Sequence, residues 1–91
     1  MNFEWDETKN QRNLEKHGIP FEYAIRVFLD PTRLDTVDQR KNYGEERKTT
    51  LGKIEGRLFV VVYTDRNQNR RIISARKANS REMKTYENIY T

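Results

Sequence analysis

A chain of 91 residues, 34% apolar and 35% charged, has material for one modest core and excludes a doubly wound domain with a buried cofactor crevice. With no cysteine there is neither a disulfide nor a thiolate metal site, and the longest apolar run, Leu58 to Tyr63, is far below the roughly 20 residues of a membrane span. The acidic start NFEWDE is unlike a signal peptide, so the cytoplasm is the expected location, and a net charge of +4 suits an acidic partner.

Asn2 to Trp5 reads as a short strand with Phe3 and Trp5 on one face. Asp6 is placed to cap a helix running to about His17, where Gly18 supplies the left-handed stop. Pro20 restarts a second helix. Its apolar residues Phe21, Ala24, Ile25, Phe28 and Leu29 follow helical spacing, until Asp30-Pro31 ends it. Arg33 to Asp38 reads as an edge strand, Gln39 to Glu45 as a loop, and Glu46 to Ile54 as a strand turning at Glu55-Gly56 into Leu58 to Thr64. That last strand is apolar on both faces and belongs in the centre of a sheet. Asp65 to Asn69 forms a hairpin loop and Arg70 to Lys77 the returning strand. Asn79 and Glu82 have capping-box spacing ahead of a final helix whose apolar side is Met83, Tyr86 and Tyr90. The expectation is a single α+β domain over residues 1–91, order β-α-α-β-β-β-β-α, with a mostly antiparallel sheet and its helices on one face.

Charge is concentrated late in the chain. Residues 66–84 hold Arg66, Arg70, Arg71, Arg76, Lys77, Arg81 and Lys84 against Glu82 alone, a local balance of +6 that would draw phosphate to one hairpin and the helix start after it. In the returning strand strict alternation puts Arg70, Ile72, Ser74 and Arg76 on one face and Arg71, Ile73, Ala75 and Lys77 on the other. Arginines on a rigid sheet offer bidentate contacts to phosphate oxygens, whereas the plain alternative is that they keep a polar sheet soluble.

The first helix is unusual. Leu14 is its only large apolar residue, and Lys9, Arg12 and Lys16 form a basic stripe that by itself reads as a solvated face. Lys16-His17-Gly18 sets the chain's only histidine beside a lysine at a helix C-terminus, where imidazolium is favoured and proton exchange near neutrality is available. Tyr86 reads first as core, with a hydroxyl able to reach a surface. Asp35, Asp38, Glu45 and Glu46 have no metal-ligand spacing, and no P-loop, G-x-S-x-G or dinucleotide fingerprint is present, so no cofactor is expected.

FEWD at 3–6, Lys9, Asn13, Lys16-His17-Gly18 with Phe21, and FLDP at 28–31 together resemble the BrnT family of bacterial type II toxins. The likeness continues through Glu46-Arg47, Gly52, LFVVVY, IISARKA at 72–78, Arg81-Glu82 and Tyr86, with Asn79 where the family pattern leads one to expect a threonine that would cap equally well. The resemblance implies a RelE-like fold and a ribonuclease that arrests growth. It also implies a BrnA-like antitoxin with a ribbon-helix-helix end, and repression of the pair's own promoter, with operator DNA contacted only through the antitoxin.

Cleaving RNA without metal needs a base for the 2′-hydroxyl proton, cations for the developing phosphorane charge and an acid for the leaving oxygen. The residues that can supply these are Arg76 for the phosphate, Lys16 or His17 to exchange protons or orient the RNA, and Tyr86 nearby. Lys9, Arg47, Arg66, Arg70 and Lys77 are the candidates for the RNA backbone. Two other readings use the same basic face: a binding module without chemistry, and a docking surface for an acidic or amphipathic antitoxin segment.

Overall fold

The computed structural model describes residues 1–38 and 44–90, so most of the expected loop Gln39 to Glu45 lies outside the described residues. Its elements are β1 (Asn2–Trp5), α1 (Glu7–His17), α2 (Phe21–Ala24), a 3₁₀ segment (Ile25–Leu29), β2 (Leu34–Asp38), β3 (Arg47–Ile54), β4 (Arg57–Arg66), β5 (Asn69–Lys77) and α3 (Ser80–Tyr90). The α+β class and the element order are those expected. The five strands are ordered β1-β5-β4-β3-β2, with β4 central and β2 at an edge, and only the β1–β5 pair is parallel. The β3–β4 and β4–β5 hairpins close through two residues of positive φ, Glu55-Gly56 at 52° and 81° and Asn67-Gln68 at 51° and 65°, the geometry a tight type I′ turn requires.

The helices were expected on one face and divide between two. Alternation along β4 sends Phe59, Val61 and Tyr63 into a core shared with Ile19, Phe21, Ala24, Val27 and Ile72, beneath α2 and the 3₁₀ segment. Val60 enters a second core with Leu51, Ala78 and Tyr86, beneath α3. A central strand apolar on both faces needs cover on both, and α3 carries the apolar side that provides the second.

The second helix is shorter than its sequence suggested. Only Phe21–Ala24 is α-helical, and Ile25–Leu29 tightens into 3₁₀ geometry. Phe21, Ala24 and Val27 are fully buried, and the tighter turn after Ala24 leaves Leu29 81% exposed. Gly52 permits the close approach of this segment: a Cβ there would lie 2.8 Å from Val27 Cγ2.

α1 docks by amides instead of an apolar stripe. Its caps are as expected: Asp6 accepts from the backbone N–H groups of Thr8 and Lys9, and Gly18 is left-handed with its N–H donating to Leu14. Its buried residues are Asn10 and Asn13. Asn13 donates to the carbonyls of Ile19 (2.9 Å) and Ala75 (2.8 Å) and accepts from the Ala75 N–H (3.1 Å). β1 pairs β5 only as far as Ile72, so the Asn13 amide takes over from the strand at Ala75. Asn10 accepts from the Phe21 N–H at 2.8 Å and donates to Glu7 and Glu22, tying α1 to the start of α2.

α3 is fixed at both ends. Asn79 and Glu82 form the expected reciprocal cap, each side chain accepting from the other's backbone N–H at 2.9 and 2.8 Å. Asp30, which the sequence presented only as a helix stop, accepts from the Lys53 N–H (2.8 Å), the Thr32 N–H (2.8 Å) and the Tyr86 hydroxyl (3.1 Å). Tyr86 also meets the Thr32 hydroxyl, and Tyr90 donates to the Thr32 carbonyl at 2.6 Å.

Asn13→Ala orphans three buried backbone groups and is expected to destabilise the fold by about 2–4 kcal/mol, read as a lower midpoint of urea unfolding with unchanged slope. A loss below about 0.5 kcal/mol would show that α1 is held by something else.

Candidate nucleic-acid interface

One irregularity in β5 decides where its arginines go. Val62 pairs with Ser74 but Tyr63 pairs with Ile72, so Ile73 is an extra residue, a β-bulge. The strict alternation read from the sequence therefore fails at this point. Before the bulge Ile72 shares the α2-side core, and Arg70 lies on that side over the rings of Phe28 and Tyr63, at 4.7 and 4.6 Å. Beyond it Ala75 stays on that side while Arg76, paired with Val60, is turned to the α3 side. Arg70 and Arg76 were expected on one face and lie on opposite ones.

On the α3 side two cross-strand rows stay outside the apolar cluster beneath that helix. Thr36, Thr49, Val62 and Ser74 form a row of small side chains across β2, β3, β4 and β5. Asp38, Arg47, Thr64, Arg71 and Glu4 lie along the next, Arg47 following the Lys48–Tyr63 pair. The small row is flanked by Arg47 and Arg71 on one side and Arg76 on the other. Arg66, two residues beyond Thr64, extends the basic side toward the hairpin tip. Arg76 is held by a two-pronged contact with Glu82, 2.8 and 2.9 Å, and keeps 42% of its side chain exposed. The floor is low and the walls are guanidinium groups, a form suited to a phosphodiester chain.

The other sequence candidates gather elsewhere. Lys9 and Lys16 are exposed on α1, and half-buried His17 ends that helix next to Gly18. Gly18, Ile19, Pro20, Tyr23, Phe59 and Lys77 line a groove of about 590 Å3 on the α2 side, completed by Glu55 and Arg57. Arg76 and Lys77 thus face opposite sides at the end of β5. Tyr86 is 5% exposed with its hydroxyl engaged by Asp30 and Thr32, and burial pushes that phenol up from its ordinary value.

The +6 of residues 66–84 is partly neutralised in three dimensions by carboxylates from outside that stretch. Arg71 meets Glu4 at 2.8 Å, Arg70 meets Asp65 at 2.8 Å and Arg66 meets Glu45 at 3.8 Å. Among the described residues no ion pair holds Lys9, Lys16, Arg57 or Lys77. Arg57, Arg71 and Tyr23 escaped the sequence reading as site residues. The β3–β4 hairpin places Arg57 opposite Ile54, and the register of β4 against β5 places Arg71, a register shifted by a bulge that no residue pattern announced. No group of three or more His, Cys, Asp or Glu among the described residues is placed to hold a metal.

These pairings make the fold acid-sensitive. Hydrogen bonds from Arg76 lower the Glu82 carboxyl below its usual 4.5, those from Arg70 lower Asp65 below 3.8, and Arg71 lowers Glu4. Burial alone would raise Asp30, but donors from Thr32, Lys53 and Tyr86 outweigh it and lower it too. Each folded-state value lies below the unfolded one, so the stabilisation is complete above the unfolded values and is lost as pH falls through the folded ones. The urea midpoint is expected to hold from about pH 7 to 5.5 and to fall steadily below about 4.5; a midpoint that rises or stays level on acidification contradicts the pairings.

No curated protein matches the chain. The family model described as the ribonuclease toxin BrnT of type II toxin–antitoxin systems matches residues 5–82, from the end of β1 to the cap of α3. With most of its length inside that match, the chain belongs to the BrnT family of ribonuclease toxins, whose type II systems pair each toxin with an antitoxin.

Proposed function

We propose that the protein cuts RNA without a metal, using the arginine-flanked row of small residues on the α3 side of the sheet. The observation that carries this reading is Arg76, a half-exposed guanidinium fixed by Glu82 at the border of that row. Fixed cations aimed at a phosphate stabilise the charge that develops on it, because no reorganisation is needed at the moment of reaction. Arg47, Arg66 and Arg71 hold the flanking backbone. Lys16 or His17, in the last turn of α1, is the proposed proton-exchange group, reached where the RNA turns round the end of β5 between Arg76 on one side of the sheet and Lys77 on the other. Arg70, stacked on two rings and paired with Asp65, serves the fold. Tyr86 serves it too, by anchoring α3 to Asp30.

In the reaction the 2′-hydroxyl gives its proton to the base and its oxygen attacks the adjacent phosphorus. The 5′-oxygen leaves with a proton, giving a 2′,3′-cyclic phosphate and a 5′-hydroxyl. By family resemblance the toxin works in the cytoplasm and its antitoxin is BrnA-like, with a ribbon-helix-helix end through which the pair represses its own promoter.

Purified protein with RNA in excess EDTA is expected to cut at its metal-supplemented rate and leave 2′,3′-cyclic ends, while RNA carrying 2′-deoxyribose at the cut nucleotide stays intact. Cleavage abolished by the chelator would overturn the metal-free mechanism. Stable RNA binding without any turnover would make the protein a binding module.

A further inference from the structure

We infer that the groove between the end of α1 and the β3–β4 hairpin is a subsite that receives one unpaired nucleotide of the RNA. This rests on the ribonuclease reading and adds to it a subsite on the opposite side of the sheet from Arg76.

The lining has the parts such a subsite needs. Tyr23 supplies a ring that lines the groove: the Phe59 ring stands near-perpendicular to it with centroids 5.8 Å apart, and Arg26 covers one of its faces at 5.2 Å. Arg26 lines the neighbouring cleft with Asp30 and Lys53 and does not line the groove itself. A base stacking there meets an aromatic plane already fixed by two neighbours, at little cost in side-chain entropy. Arg57 and Lys77 supply charge. Unlike Arg66, Arg70, Arg71 and Arg76, neither is held in an ion pair among the described residues, so phosphate does not have to displace a carboxylate.

Both cations also line the cleft on the α3 side, with Lys53, Leu58, Ala78, Met83 and Glu87. The two cavities therefore meet at the end of β4 and β5, with Arg57 and Lys77 between them. A phosphodiester seated on these cations can pass from the α3 side round the strand ends with its next base in the groove. A paired base in a duplex cannot enter, because its edge is engaged and its faces are stacked.

The test measures binding of a non-cleavable 2′-O-methyl RNA hexamer, single-stranded or annealed to its complement, by fluorescence anisotropy at low salt. The wild type is expected to bind the single strand at least ten-fold more tightly than the duplex. Tyr23→Leu, which keeps apolar volume without a ring, should lose about ten-fold on the single strand, and Tyr23→Phe should restore it. Lys77→Ala should reduce the salt slope of binding by about one. Equal affinity for duplex and single strand overturns the proposal, as does wild-type binding by Tyr23→Leu. Absence of single-strand binding at low salt assigns the groove to a protein partner and overturns it too. Cleavage of the unmodified hexamer in EDTA is read alongside: binding with the Tyr23 dependence but no cutting sinks the mechanism and keeps the groove, and cutting indifferent to Tyr23 does the reverse.

Discussion

The extra residue at Ile73 in β5 is the constraint on which the arrangement of this protein turns. Without it Arg70, Ile72, Ser74 and Arg76 would share one face, and the strand would have to bury and expose guanidinium groups on the same side. The bulge breaks the alternation once. Arg70 goes to the α2 side, where its charge is spent on Asp65 and two aromatic rings, and Arg76 goes to the α3 side, where Glu82 holds it at the border of an open row. A strand that looks uniformly basic is divided between the two faces of the sheet.

A chain so poor in apolar residues holds its helices by polar contacts aimed at backbone groups. Asn13 replaces the missing strand partner of Ala75, Asn10 fixes the entry into α2, and Asp30 joins the end of the 3₁₀ segment to β3 and α3. Each bond is worth only about 1 kcal/mol when made, but leaving a buried backbone partner unmet costs more, so these side chains specify position as well as stability. The same economy leaves the exposed face of α1 free for Lys9 and Lys16.

Most of the architecture was legible because it follows from local chemistry. Asp6, Gly18, Asn79 and Glu82 announce the ends of helices, and the doubly apolar β4 announces a central strand. Both faces of that strand also implied cover on both sides, an inference the residues supported and the expectation of one-sided helices missed. The 3₁₀ turn of Ile25–Leu29 was hidden because its residues fit helical spacing equally well; only packing against Gly52 distinguishes the two. The candidate site was legible as residue types and not as a constellation. Arg76 and Lys77 were visible as cations, but that they face apart depends on pairing register, and that Arg66 and Arg71 carry carboxylate partners depends on contacts from distant segments.

Family membership makes the protein a ribonuclease toxin, and the proposal that the α3 side of the sheet meets RNA rests on the sorting of arginines by the bulge. The most direct measurement compares Arg76→Ala with Arg70→Ala, each followed by RNA cleavage and by urea unfolding. Arg76→Ala should lose about 10²–10³ in cleavage rate while its unfolding midpoint moves little, as a half-exposed ion pair allows. Arg70→Ala should show the opposite, a clearly lower midpoint with cleavage retained by the folded protein. Cutting by Arg76→Ala at the wild-type rate would contradict the account.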